Sequence, residues 1–336
     1  MTRKDLKILF DDSIPRDQWK ELLSENTYAS PFQTPEFYKL YNSVKNLFAK
    51  AIAVEVSGTL KALCVTTLQK ESGLKGFFSR RAIIYGGPVF ENNNTDIVEI
   101  LLDIVTRYLR GKAIYIEIRN FFDYSQYKNS IMVSGWHYEP YLNFNLYLSG
   151  LSKESLLGIF NNDARRRIKN SLAEGATYTE CGSANELKEV YTILEELYNT
   201  KAKLPLPSLD FFLTFYNSGL MKVFVVKHHE NIIGGAFSPY DKNGIYTFYY
   251  CDRRDYHKRI SPTHLSILAA MEFGIEQGIP KFDFMGAGKP GIPYGVRDFK
   301  KQFGGKEVEH GRFIKVLNPF LFKLGKIGLK ILSKVN

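Results

Sequence analysis

The segment 281–305, Lys-Phe-Asp-Phe-Met-Gly-Ala-Gly-Lys-Pro-Gly-Ile-Pro-Tyr-Gly-Val-Arg-Asp-Phe-Lys-Lys-Gln-Phe-Gly-Gly, holds the densest set of residues able to do chemistry. A strand-like run over 281–285 delivers Asp283 near its end. A loop with Gly286, Gly288, Gly291 and Gly295 then leads to Phe299-Lys300, with Gly304 just beyond. Loops that follow strand ends on a rigid scaffold are where sites tend to form. The ammonium of Lys300 could steady negative charge developing on an oxygen. Asp283, Tyr249 and Tyr294 are groups able to position a proton, and Arg297 in the same loop is a candidate substrate contact. Structural alternatives stand beside these: Lys300-Lys301 as a solvated helix face, and Asp283 as a cap on the turn that follows it. A covalent enzyme intermediate is not required. There is no Gly-x-Ser-x-Gly turn, and Cys64, Cys181 and Cys251 have no base near them in sequence.

Two further groups of cations could hold phosphate. Arg165-Arg166-Arg167, with Lys169, offers the planar forks that suit phosphate or tRNA, against the ordinary fate of a charge run as a solvated helical stripe. Lys258-Arg259 precedes Ser261-Pro262, which reads as a helix start, and a helix N-terminus with adjacent cations makes an anion site. Lys plus Arg outnumber Asp plus Glu 45 to 35, a formal charge of +10 that favours an anionic partner without choosing among nucleotide, RNA and lipid. The six histidines show no metal spacing, and three scattered cysteines argue against a disulfide framework or a structural zinc. No metal is expected.

At 336 residues the chain exceeds what one hydrophobic core usually holds, so two domains are expected. The first half offers a hairpin, 51–56 and 62–68 around Ser57-Gly58-Thr59, then a helix over 95–110, then strands at 113–118 and 141–148. Ser149-Gly150-Leu151-Ser152 is the candidate junction. The second half repeats the alternation: helices over 152–174 and 184–200, a hairpin of 221–226 with 232–237, a strand at 245–250, a helix from Ser261-Pro262 to Gly278 and a strand at 281–285. Two similar α+β units in tandem is the economical reading.

The order of these motifs resembles FemAB-type transferases. Phe-Asp-Phe-x-Gly, a glycine-rich loop and Gly-Val-x-x-Phe-Lys-x-x-Phe-Gly is similar to their carboxyl-terminal signature. Ser30-Pro31-Phe32-Gln33-Thr34-Pro35-Glu36-Phe37, Tyr85-Gly86-Gly87-Pro88, Tyr115-Ile116-Glu117-Ile118-Arg119 and Asp163-Ala164-Arg165-Arg166-Arg167-Ile168-Lys169 resemble their upstream motifs, so the likeness spans about 30–315. It implies a mixed α/β fold of two tandem GNAT-like domains, each a largely antiparallel sheet flanked by helices. The expected bounds are 1–150, 151–317 carrying the Phe-Lys motif, and a tail at 318–336.

The resemblance further implies transfer of an acyl or aminoacyl group to an amine of a cell-envelope precursor, either a peptidoglycan peptide or an amino sugar of a surface polysaccharide. In that scheme Lys300 sits near the reacting carbonyl with Phe299 packed beside it. Tyr85, Gly86, Gly87 and Arg119 form an acceptor wall, and Arg165–Arg167 with Lys258 and Arg259 take phosphate. The donor is aminoacyl-tRNA or acyl-CoA and no cofactor is tightly bound. The turn 254–262 lacks the glycines usual for coenzyme A pyrophosphate, and 175–220 lacks the long helical pair that bridge-forming members offer to tRNA. Rival readings are an acetyl-CoA-dependent N-acetyltransferase acting on a nucleotide sugar, and a non-catalytic RNA- or membrane-binding protein with this fold. A partner precursor carrying a nucleotide or lipid pyrophosphate is implied, with tRNA as a second candidate.

The N-terminus is charged and no window approaches ~20 apolar residues, so a cytoplasmic protein is expected. The tail 318–336 carries Lys323, Lys326, Lys330 and Lys334 at helical spacing opposite Phe320, Leu321, Leu324, Ile331, Leu332 and Val335. A basic amphipathic helix of that kind can lie on the inner face of the cytoplasmic membrane; the alternative is a terminal helix docked on its domain.

Overall fold

The computed structural model describes residues 5–70, 75–91, 94–202, 205–253 and 255–326. It divides into two compact units, Met1–Pro140 with His310–Asn336, and Tyr141–Glu309. Each has its own cluster of buried apolar side chains.

The first unit is built on one eight-stranded sheet. Its strands run in the order Leu6–Phe10, Phe48–Val56, Thr59–Gln69, Arg81–Gly86, Tyr115–Asn120, Arg312–Val316 and His137–Glu139, with Val89–Phe90 paired to Thr59–Gln69. The expected hairpin is there, and both of its turn residues take left-handed backbone (Ser57 φ 51°, Gly58 φ 84°), the geometry that matches strand twist. Arg81–Gly86 and Tyr115–Asn120 are parallel, which requires a crossover connection. The helix Thr95–Leu109 supplies it, started by the Asn94 side chain accepting from the Ile97 N–H at 3.2 Å. Its Ile97, Val98, Leu101, Leu102, Val105 and Leu109 form one fully buried stripe.

The second unit contains two four-stranded sheets. One runs Tyr249–Asp252, Asn231–Pro239, Met221–His228, Ala176–Glu180; the other runs Ile245–Tyr246, Lys281–Asp283, Leu142–Tyr147, Lys306–Glu309. The helix expected over 152–174 is two helices, Lys153–Ile159 and Asn162–Ala173. The break falls where Asn161 caps the second one, its side chain accepting from the Ala164 N–H at 2.9 Å. The helix expected at 184–200 is Ala184–Leu197 continued by a π turn, Tyr198–Ala202, and Leu209–Asn217 forms a helix the pattern reading leaves out. Pro262–Glu276 is buried on nearly every side, which explains why its sequence is apolar all round.

The unit boundaries differ from those expected at 150 and 317. Leu142–Tyr147 pairs with Lys281–Asp283 and Lys306–Glu309, so it belongs to the second unit. Arg312–Val316 pairs with Tyr115–Asn120 and His137–Glu139, so the chain returns to the first. The expected strand 245–250 is likewise split between sheets. Of the tail, 319–326 is helical, and Lys330, Ile331, Leu332, Lys334 and Val335 lie outside the described residues. Among the described residues no helix is long and apolar enough to cross a membrane.

Candidate active site

In the second unit a strand changes sheets. Ile245–Tyr246 lies parallel to Lys281–Asp283, and the Thr247 N–H still donates to the Asp283 carbonyl at 2.9 Å. One residue later the Phe248 N–H donates to the Phe237 carbonyl at 3.1 Å, and Tyr249–Asp252 continues against Asn231–Pro239. Tyr249–Asp252 therefore parts from the loop that follows Asp283. The hydroxyls of Thr247 and Ser238 are buried near this switch without a hydrogen-bond partner. An unpaired buried hydroxyl costs ~1–3 kcal/mol, so these two atoms suit a polar group of a ligand, and nothing in the sequence patterning flags them.

Asp283 aims the loop. It is fully buried, and its Oδ1 accepts from Asn143 Nδ2 at 2.7 Å and from the Met285 N–H at 2.8 Å. The Asn145 amide, turned with its nitrogen toward the carboxylate, donates to Oδ2 at 3.2 Å, and Lys281 Nζ lies 3.6 Å from that oxygen. Asn143 Oδ1 in turn accepts from the Phe144 and Gly286 N–H groups, both at 2.8 Å. With its oxygens so committed, Asp283 is a clamp for the turn, the capping alternative raised by its sequence context, rather than a group handling a proton. The turn needs that clamp because Met285 holds a left-handed φ of 54°.

The clamped backbone points two carbonyls at Lys300. Its Nζ donates to the Phe284 carbonyl and, at 2.6 Å, to that of Gly286. The side chain is buried rather than solvated, and burial, opposed by the charge of Asp283, pushes its pKa down to about 8. Two of the three ammonium hydrogens are used by these carbonyls. Phe299, the preceding residue, packs among aromatic rings. Its ring lies 5.7 Å from Tyr250, 5.1 Å from His264 and 5.3 Å from Phe303. The short helix Gly295–Lys301 thus holds Tyr249–Asp252 through Phe299 and the loop after Asp283 through Lys300.

Beside Tyr250, which meets Phe299, lie further tyrosines of this unit. The Tyr249 ring lies 5.8 Å from that of Tyr198, tilted by 58°, and burial raises Tyr250 and Tyr198, each also feeling Tyr294. Tyr294 is exposed, and Gly288 leaves the space its ring occupies. Arg297 corrects its expected role. Its guanidinium donates to the carbonyls of Ala287 at 2.9 Å, Ile292 at 3.0 Å and Lys289, so it braces the glycine-rich loop from within. His264, which burial keeps toward neutrality, has its Nε2 3.1 Å from Gln302 Oε1.

The arginines among the phosphate candidates are already engaged. Arg165 meets Asn162; Arg166 and Arg167 share Asp163, whose carboxyl they hold below its ordinary range. Such exposed pairs are worth only ~0–1 kcal/mol, so they would yield to a phosphate cheaply. Arg259 pairs with Glu174 at 3.0 Å and Lys258 is exposed. At the helix start the Ser261 N–H donates to Ser171 Oγ at 2.8 Å, and Pro262 has no N–H to offer. That turn spends its donor on the protein itself. Among the described residues no group of His, Cys, Asp and Glu could hold a metal ion.

The remaining candidates lie in the first unit. Gly86 and Gly87 have φ of 82° and 98°, and a side chain on either would collide with Ser30 or Tyr124. Tyr85 is buried and accepts from Gln69 Nε2 at 3.0 Å. These three are packing residues of the loop. Arg119 pairs with Glu117 at 3.1 Å and faces the Tyr85 ring at 5.6 Å, while its buried Nε–H has no partner, which suits a ligand contact. Glu117, whose burial alone would raise it, is held low by Arg119 and Arg312.

Residues 160–301, which include the strand switch, the clamped loop and Lys300, match the family model described as an acetyltransferase (GNAT) domain. The protein is an acyltransferase whose second unit carries a GNAT domain. The fold of the whole chain is that of the crystal structure of FemX, with a TM-score of 0.72 at 15% identity, covering 95% of this chain and 99% of that one. L-PGS from Bacillus licheniformis follows at 0.57 and 13% identity, over 93% of this chain and 96% of its own. A tandem GNAT protein from the clavulanic acid biosynthesis pathway gives 0.59 at 9% identity, over 94% and 99%. The expected tandem GNAT-like architecture is therefore the observed one. A search of curated protein sequences finds no match to this chain.

Proposed function

We propose that this protein is an N-acyltransferase acting on an amine of a cell-envelope precursor, a peptidoglycan peptide or an amino sugar of a surface polysaccharide, at the cytoplasmic face of the membrane. The observation that carries this reading is the placement of Lys300: a buried ammonium fixed by two carbonyls beside a strand switch that leaves two hydroxyls unpaired.

The donor presents an acyl carbonyl as a tRNA ester or a coenzyme A thioester. The acceptor amine attacks it, a C–N bond forms, and the carbonyl oxygen takes the negative charge. The remaining N–H of Lys300 donates to that oxygen. Collapse breaks the C–O or C–S bond, the leaving group departs, and the acceptor nitrogen gives up its extra proton to solvent or the leaving group. Thr247 and Ser238 would hold the donor next to its carbonyl.

Mass spectrometry of envelope precursors with and without the gene tests the reading. A precursor lacking one acyl or aminoacyl mass in the deletion strain is expected, restored by the wild-type gene and not by Lys300→Met. Identical precursors, with no turnover of either donor by the purified protein, would overturn it.

A further inference from the structure

The described part of the tail satisfies the docked-helix alternative and still leaves a second face open. Leu321 is buried and the Phe322 ring lies 5.2 Å from Tyr115, so residues 319–326 are seated on the first unit. Phe320, Lys323 and Leu324, spaced i, i+3, i+4, fall on one arc, and Phe320 is 70% and Leu324 40% exposed. A separate element adds to that arc. The helical turn Lys75–Ser79 presents Phe78, 51% exposed, and its carbonyl lies 3.8 Å from where a side chain on Gly325 would begin. The two elements are therefore neighbours on the first unit. The sequence around both elements is free of acids. No Asp or Glu occurs from 310 to 336 or from 72 to 90, while Lys323 and Lys326 are exposed.

We infer that Phe78, Phe320 and Leu324, with the exposed Lys323 and Lys326 on the same helix, form a two-element surface that docks on an anionic phospholipid bilayer. Apolar tips on a basic, acid-free face match such a surface, with rings entering the headgroup boundary and each lysine facing anionic lipid. The inference deepens the proposed membrane location and does not depend on the acyl-transfer chemistry.

Co-sedimentation of the full chain tests it, using vesicles of pure phosphatidylcholine and vesicles containing phosphatidylglycerol. Wild type is expected to bind the anionic vesicles and to bind neutral ones at least ~10-fold more weakly. Phe320→Ser/Leu324→Ser, Phe78→Ser and Lys323→Gln/Lys326→Gln should each weaken anionic binding, the first pair by about tenfold or more. Circular dichroism and elution volume show that each variant is folded. No wild-type binding, equal binding to both vesicles, or folded variants that bind like wild type would overturn the proposal. So would a shift from dimer to monomer in Phe320→Ser/Leu324→Ser, since a second copy would then be the occupant. None of these outcomes bears on acyl transfer, which is read separately from precursor masses.

Discussion

Replacing Lys300 by methionine lowers kcat/KM for acyl transfer by ~10²–10³-fold, the range found when one donor to a developing oxyanion is removed, and leaves stability at neutral pH close to that of the wild type. Two effects oppose one another in the fold. Burying the ammonium depresses its pKa from 10.5 to about 8, a penalty on the charged form of roughly 3 kcal/mol that methionine removes. Methionine also strips the Phe284 and Gly286 carbonyls of their donor, at ~1–3 kcal/mol each. The two terms are similar in size, and the apolar stem is kept. A lysine serving only as a staple would behave oppositely, with activity following stability. Steady-state kinetics and urea unfolding of the same preparations separate the cases.

Asp283→Ala is expected to reverse that pattern. Removing the carboxylate takes the acceptor from Asn143 Nδ2, the Met285 N–H and the Asn145 amide, and the counter-charge from Lys281, whose side chain is 10% exposed. Breaking a buried charge pair on one side costs ~3–5 kcal/mol, which for a unit of this size lowers Tm by roughly 10 °C. Activity falls as well, because the carbonyls aimed at Lys300 lose their clamp. A thermal melt within 2 °C of wild type, with activity alone abolished, would return Asp283 to a role in proton transfer.

Much of this site is legible in the sequence because it is local. Asp283, five glycines and Phe299-Lys300 fall within 22 residues, and hairpins and helix starts around them follow from turn and cap chemistry. What escapes is set by distant pairing. Nothing near 312–316 says that it joins Tyr115–Asn120, and nothing at Thr247 says that the strand changes sheets there. One signal was available and is easily passed over. Asn143 and Asn145 alternate with Leu142, Phe144 and Leu146, so a buried strand carries a polar face, and such a face must satisfy some buried partner. That partner is Asp283. Arg297 misleads for the converse reason: an arginine in a glycine-rich loop suggests a ligand, yet a loop with few side chains needs its own carbonyls satisfied, and one guanidinium serves three of them.

The claim that the charge on Lys300 stabilises the reacting carbonyl is tested most directly by pH. The ratio of wild-type to Lys300→Met kcat/KM cancels the titration of the acceptor amine and of every other shared group. With a pKa of about 8, the ammonium is mostly protonated at pH 7 and mostly neutral at pH 9, so that ratio should fall by about tenfold between them. A ratio that stays flat, or that rises with pH as it would for a neutral amine acting as base, contradicts the account.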